Sequence, residues 1–315
     1  MARTDRPLRI ATRKSALALW QANHVKAGLE ASYPGLVVEL VPLLTTGDKI
    51  LDVPLAKVGG KGLFTKEIEQ ALIDGRADLA VHSMKDVPTQ RAPGLMLAGT
   101  GVREDVRDAL VSPRVKSVEK LPKGARVGTS SLRRQAQLLN LRPDLRIVSI
   151  RGNVQTRMRK IEELNLEGVI LAAAGLRRLG FADRITQYIP PSLSLPAIAQ
   201  GSLALEIRAD DERTRELVAI FHHEPTEIAV TAERAFLARL EGGCQVPIAG
   251  LAQVDGGLVA MEGLVGSIDG KTLIRDRGEG PVAEAERVGR ELAEKILDRG
   301  GRAILAAVYQ SGGPR

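Results

Sequence analysis

Ala125-Arg126-Val127-Gly128-Thr129-Ser130-Ser131-Leu132-Arg133-Arg134 sets the reading of this chain. Ala125 to Gly128 reads as a short strand. Hydroxyl residues follow it, and Leu132, Ala136 and Leu139 then recur at helical spacing. A strand that passes through a hydroxyl-rich and basic turn into a helix is the first half of a βαβ unit.

The same device recurs on both sides. Upstream, Leu8 to Ala11 is a strand, Arg13-Lys14-Ser15 the turn, and Ala18, Ala22, Val25 and Leu29 one helix face. Downstream, Leu145 to Ile150 leads through Arg151-Gly152-Asn153 into a helix carrying Val154, Met158, Ile161 and Leu164. Between the first two, Leu36 to Leu44 is a strand ending in the turn Thr45-Thr46-Gly47-Asp48, and Leu63 to Ile73 is helical. Leu79 to Val81 is a strand running into the loop His82 to Pro88. Val169 to Ala172 precedes a helix starting at Gly175-Leu176-Arg177-Arg178, and Pro190-Pro191 marks an irregular connection. The alternation predicts an α/β fold with mostly parallel sheets, in two similar halves, the second beginning after Arg103. No repeat is visible residue by residue.

The C-terminal stretch differs. A helix carries Ala229, Ala232, Phe236 and Leu240, and Gly242-Gly243-Cys244 follows. Three strand-like runs are joined at Asp255-Gly256 and Asp269-Gly270, both good hairpin turns. A last helix carries Ala285, Val288, Leu292 and Ile296, with Gly300 placed to end it. This predicts an α+β module with a three-stranded antiparallel sheet.

Composition narrows the function. A chain of 315 residues suits two or three domains, and 44% apolar residues predict folding rather than disorder. No apolar run approaches a membrane span, and the N-terminal residues show no signal-peptide pattern, so a cytoplasmic protein is expected. The single cysteine excludes an internal disulfide framework. The net charge of +7 points to an anionic partner. Aromatics are only 3%, too few for stacking single-stranded bases, and the basic residues come in ones and twos. That favours small carboxylate or phosphate ligands over nucleic acid.

The basic turns suit such ligands. A helix N-terminus offers unpaired backbone N–H groups, and arginine adds a fork matched to a carboxylate. In open sheets ligands bind beyond the carboxyl ends of the strands. Taken one at a time, each turn reads first as an ordinary N-cap with solvated arginines; their recurrence weighs against that. Asp86, in Ser83-Met84-Lys85-Asp86-Val87-Pro88, sits just past a strand end among basic residues. It could stabilise a cation or move a proton there, although spacing alone fits a surface Lys–Asp pair. Cys244 follows a helix C-terminus, where the dipole disfavours a thiolate, and by itself reads as a small buried apolar residue. Gly59-Gly60-Lys61-Gly62 lacks the spacing of a nucleotide-binding P-loop. His222-His223 has no partner at metal-ligand spacing, so no metal is expected, and His24 and His82 alone make no site.

Taken together, these segments resemble the porphobilinogen deaminase (hydroxymethylbilane synthase) family. The likeness runs in order through Ile10-Ala11-Thr12-Arg13, Gly59 to Phe64, His82 to Pro88, and Gly128-Thr129-Ser130-Ser131-Leu132-Arg133-Arg134. It continues through Arg151-Gly152-Asn153, Leu195-Pro196-Ala197, Gln200-Gly201 and Leu240-Glu241-Gly242-Gly243-Cys244-Gln245-Val246-Pro247. The resemblance implies two similar domains built like periplasmic binding proteins, 1–101 with 202–221 and 102–201, and a third, 222–315, that carries the cofactor. It implies a transferase of tetrapyrrole synthesis that joins four porphobilinogens head to tail, losing ammonia each time. It further implies that water then releases hydroxymethylbilane while the cofactor stays behind. The implied primer is a dipyrromethane joined by a thioether to Cys244, and the implied catalytic acid is Asp86. Every pyrrole brings an acetate and a propionate, which would explain the many basic turns.

On that basis Lys85, Ser83, Thr129, Ser131, Arg133, Arg134 and Gly152 are expected at the cofactor. Arg13, Ser15, Arg151, Arg157 and Gln200 are expected at the substrate. Lys57 and Lys61 fall in an expected lid loop. A monomer that passes its product to the next tetrapyrrole enzyme is expected. The rival reading is a polycarboxylate-binding solute receptor or sensor on the same scaffold.

Overall fold

The computed structural model describes residues 6–49, 63–241 and 246–310. Lys57, Lys61 and the glycines around Lys61 lie outside the described residues, as do Gly242, Gly243 and Cys244. In chain order the strands are β1 (Leu8–Arg13), β2 (Val38–Leu43), β3 (Leu79–Ser83), β4 (Leu95–Gly99), β5 (Asp108–Val111), β6 (Arg126–Gly128) and β7 (Arg146–Val148). They continue as β8 (Gly168–Ala172), β9 (Gln187–Ile189), β10 (Leu203–Arg208), β11 (Ile248–Asp255), β12 (Leu258–Gly266) and β13 (Leu273–Pro281). The longer helices are α1 (Ala16–Ser32), α2 (Lys66–Ile73), α3 (Leu132–Leu141), α4 (Val154–Glu163), α5 (Ala173–Arg178), α6 (Glu212–Val218), α7 (Glu224–Arg239), α8 (Ala285–Ile296) and α9 (Arg302–Gln310).

The chain divides into two compact units. Of the described residues, the first takes 6–49, 63–104 and 201–227, and the second takes 105–200, 228–241 and 246–310. In the first, the strand order is β2-β1-β3-β10-β4. One face, with Leu8, Ile10, Leu79, Val81, Leu205 and Ile207, clusters with Ala22, Val25 and Leu29 of α1. The other, with Ala11 and Ala80, clusters with Ile68, Ala71 and Leu72 of α2. Cover on both faces is why β3 and β10 are apolar runs rather than alternating strands.

The second unit holds a sheet of order β7-β6-β8-β5-β9. It has the same plan as the first: β6, β7, β8, β5 and β9 stand where β1, β2, β3, β10 and β4 stand. The chain order differs between the two units at one strand. The antiparallel strand comes first in the second unit, as β5, and last in the first unit, as β10.

Each of these sheets is mostly parallel in strand direction, as expected, with one strand running against the others. β1 pairs parallel with β2 and β3, and β6 with β7 and β8, but β10 runs antiparallel to β3 and β4, and β5 to β8 and β9. Two other expectations need correction. The strands β4, β5, β9 and β10 were not expected. β5 and β9 are short, and Glu206 interrupts the apolar run of β10. The helix expected to start at Gly175 starts at Ala173, directly after β8, so Arg177 and Arg178 lie in its last turn. Ala173 and Ala174 are strong helix formers and need no preceding turn.

The C-terminal part of the second unit has the expected antiparallel sheet, β11-β12-β13, with Asp255 paired to Leu258 across the first hairpin. Val288, Leu292 and Ile296 are the buried face of α8. Gly289 lets α8 approach α7 closely: a Cβ there would lie 2.0 Å from the Ala232 carbonyl oxygen. Gly300 ends this helix as expected: its φ of 107° is left-handed, and a separate helix, α9, starts just beyond it.

Candidate active site

In the first unit the site begins where β3 ends. β3 is buried through His82 and turns at Ser83 into a single 3-10 turn, Met84–Asp86. Met84 is buried, its N–H donates to the Ser202 carbonyl at 3.0 Å, and the Val87 N–H returns to Met84 at 3.1 Å. These contacts hold Lys85 and Asp86 in a tight turn at the carboxyl end of a central strand. Gln21 of α1 donates to Ser83 Oγ at 2.9 Å. The Ser15 hydroxyl caps α1, accepting from the Ala18 N–H at 3.3 Å.

Arg13 ends β1. Its guanidinium pairs with Asp48 and lies 4.2 Å from the Phe64 ring centroid. Burial would raise the Asp48 carboxyl, but hydrogen bonds from Arg13 and Thr45 and the Arg13 charge hold it below its ordinary value. Asp48 takes Nε and Nη2 of Arg13 and leaves Nη1 without a hydrogen bond among the described residues. A pocket results, lined by Arg13, Ser15, Phe64, His82, Ser83 and Asp86 with Gln21 and neighbouring apolar residues. The turns that the sequence singled out separately, at the ends of β1 and β3, thus meet in one cavity.

In the second unit two turns lie at the carboxyl ends of the parallel neighbours β6 and β7. Ser131 caps α3 through the Arg134 N–H at 3.4 Å, and its own N–H donates to the buried Thr129 hydroxyl at 3.2 Å. After β7, Gly152 adopts a φ of 112°, and a Cβ there would stand 2.6 Å from Thr156. Asn153 caps α4 by accepting from the Thr156 N–H at 2.8 Å, and Arg157 Nε donates to the Gly152 carbonyl at 2.8 Å. Arg151, half-buried, precedes this glycine.

Arg133 and Arg134 do not point into solvent as N-terminal helix residues usually would. Both are 5% exposed and both converge on Asp108 at the start of β5, which is fully buried. Arg133 reaches its carboxylate at 2.7 and 3.2 Å, and Arg134 at 2.8 and 3.1 Å. Gln200 adds a hydrogen bond to the same carboxylate at 3.0 Å and another to the Val106 carbonyl at 2.8 Å. Burial pushes the Asp108 carboxyl up, but the charges and hydrogen bonds of the two guanidiniums overwhelm it and hold it far below the ordinary range. Burial also lowers Arg133, which Asp108 offsets in part; the ordinary value of 12.5 is so high that the group stays charged. Two guanidiniums thus share one carboxylate, and the cluster keeps a net positive charge inside the protein.

Asp108, Asp48 and Gln21 join these sites without a signal in the sequence: Asp108 lies on β5, a strand too short to stand out. No group of acidic, histidine or cysteine side chains that could hold a metal ion occurs among the described residues.

Two sheets of one strand order, with basic turns at the carboxyl ends of their parallel strands, define a two-unit α/β protein with an antiparallel C-terminal sheet. The porphobilinogen deaminase dipyromethane cofactor binding domain matches residues 8–216, and the porphobilinogen deaminase C-terminal domain matches 227–298. The chain belongs to the porphobilinogen deaminase family. It is 59% identical over 303 residues to the porphobilinogen deaminase of Geobacter metallireducens, covering 96% of this chain and 95% of that one. It is 61% identical over 301 residues to that of Syntrophotalea carbinolica, covering 96% of each. Among solved structures, a periplasmic substrate-binding protein of an ABC transporter from Coxiella burnetii is 15% identical, with a TM-score of 0.43, over 72% of this chain and 96% of that one.

Proposed function

We propose that the pocket at the end of β3 is the reaction centre and that Asp86 is its catalytic residue. The chain is a transferase of tetrapyrrole synthesis, joining four porphobilinogens head to tail with loss of ammonia to give hydroxymethylbilane. The observation that carries the proposal is that Asp86, Ser83, Ser15 and Arg13 line one cavity. Loss of ammonia from porphobilinogen leaves a cationic methylene-pyrrole. A carboxylate at Asp86, beside the pyrrole N–H groups, stabilises that charge as it develops. Arg13, through its open Nη1, and the Ser15 and Ser83 hydroxyls receive the acetate and propionate of the incoming ring.

The family's cofactor is a dipyrromethane, which supplies the primer for chain growth. The donor set of the second unit fits it: Arg133 and Arg134 share a single carboxylate and so favour another anion nearby. Arg133, Arg134, Thr129, Ser131 and the Gly152 turn, with Ser83 and Lys85, are the residues we assign to it, and Cys244 is its attachment point. Arg151, Arg157 and Gln200 are assigned to the carboxylates of the growing product, and Lys57 and Lys61 to a covering loop. We divide the chain into 1–101 with 202–221, 102–201, and 222–315. We read it as a cytoplasmic monomer that hands its product to the next enzyme of tetrapyrrole synthesis. No described helix is long and apolar enough to cross a membrane.

Intact-protein mass under denaturing conditions tests the attachment. The wild type should exceed its polypeptide mass by one dipyrromethane, and Cys244→Ser should not. A bare wild type that gains no mass on incubation with porphobilinogen would overturn the proposal in favour of a binding module.

A further inference from the structure

His82 and Glu206 form a buried pair that none of the steps above uses. His82 is on β3, four residues before Asp86, and lines the same pocket. Glu206 is on the adjacent strand β10, with no exposed surface. His82 Nε2 and Glu206 Oε2 are 3.1 Å apart. The other oxygen, Oε1, is buried and has no hydrogen-bond partner among the described residues.

The surroundings limit the charge this pair can carry. Glu206 lies opposite Ala80 in the sheet, and that face packs on Ile68, Ala71 and Leu72. The nearest cation along the same face of β10 is Arg208, which is committed to Asp78 and Asp211. Arg13, in the pocket, has its charge balanced by Asp48. An isolated buried carboxylate with one hydrogen bond is costly, and it neutralises unless a cation stands beside it. Either Glu206 holds a proton and donates it to Nε2, or the imidazole is protonated and Nε2 donates to Glu206. Both arrangements leave a hydrogen on the second ring nitrogen, Nδ1.

We propose that the His82–Glu206 pair is net neutral, keeps a hydrogen on Nδ1 of His82, and makes His82 a donor to a substrate carboxylate in the Asp86 pocket. Glu206 is then a positioning residue: it touches no ligand but fixes which nitrogen of His82 is protonated. The inference rests on the reading of this pocket as the porphobilinogen site.

The chain has 4 histidines, so nitrogen-15 NMR of the holoenzyme can assign each ring by single substitutions. At neutral pH, Nδ1 of His82 should carry its hydrogen. Its resonance should move when porphobilinogen is added to the Asp86→Asn holoenzyme. His82→Gln should raise KM for porphobilinogen about tenfold, more than it lowers kcat, as loss of one charge-assisted hydrogen bond predicts. A bare Nδ1, a resonance indifferent to porphobilinogen, or an unchanged KM would each overturn the inference. If Asp86→Asn also turned over normally, the pocket reading itself would fail; if Asp86→Asn were inactive, only the role of His82 would.

Discussion

Asp108 Oδ1 accepts hydrogen bonds from both Nη2 and Nε of Arg134, at 2.8 and 3.1 Å, with acid and base nearly inaccessible to solvent. Arg133 reaches the same carboxylate from the preceding helical position. Asp108→Asn would leave two buried guanidiniums facing each other without their counter-ion. Breaking a buried pair from one side typically costs about 3–5 kcal/mol. Denaturant unfolding at neutral pH should show a loss of that size.

The same carboxylate sets an acid limit. Its folded value lies far below the ordinary 3.8, so the stabilisation is fully present above that unfolded value. It is lost progressively as pH falls from there towards the folded value. Wild-type stability should therefore decline on acidification below about pH 4, and Asp108→Asn should flatten that limb. An acid limb unchanged by the substitution would show that other carboxylates set it.

Asp86→Asn removes a charge from the pocket while keeping size and shape. Asp86 is half-exposed, at the end of its turn, and no core contact depends on it. Turnover should fall by at least about a hundredfold, the usual range for a charged group acting on the reacting atoms. The melting temperature should stay close to wild type. Steady-state rates and calorimetry on one preparation check both, and near-normal turnover would remove Asp86 from the chemistry.

Much of each unit's strand-end cluster was legible because local rules and tertiary structure agree. Ser15, Ser131 and Asn153 are good N-caps in sequence and cap their helices in the fold. Parallel strands β1, β3, β6 and β7 then deliver Arg13, Asp86, Arg133 and Arg151 to carboxyl ends. What was not legible depends on long-range pairing. Asp108 and Glu206 sit on β5 and β10, strands whose partners are supplied by distant sequence. A buried carboxylate in an apolar run looks like a strand breaker until its arginine or histidine partner is known. The single turn at Thr46–Lys49 is similar: Asp48 gains its meaning only from Arg13.

Gly152 offers a test of the turn after β7. Its φ of 112° is unfavourable for any residue with a Cβ, and the added carbon would also press on Thr156 at 2.6 Å. Gly152→Ala should destabilise by about 1–3 kcal/mol from backbone strain. It should also displace the carbonyl that accepts from Arg157, and so raise KM for porphobilinogen. Urea unfolding and KM together check this; a stable variant with wild-type KM would mean the turn does not position Arg157 for ligand.

Arg133→Ala and Arg151→Ala should separate loading from elongation. Arg133 is buried beside Arg134, in the cluster assigned to the resident dipyrromethane. Its removal leaves Asp108 a single guanidinium and abolishes the excess positive charge. Intact mass should then show a smaller loaded fraction, even after incubation with porphobilinogen. Arg151 is half-buried at the end of β7, outside that cluster, and is assigned to the growing product. Its variant should load normally yet accumulate partly elongated adducts, since a charge-assisted bond worth about 1.5–3 kcal/mol is lost only as rings are added. That corresponds to about a 10- to 100-fold loss in the affected step. Mass spectra taken during a porphobilinogen time course read both effects at once. Normal loading in Arg133→Ala together with normal elongation in Arg151→Ala would break the carboxylate-clamp account of the basic turns.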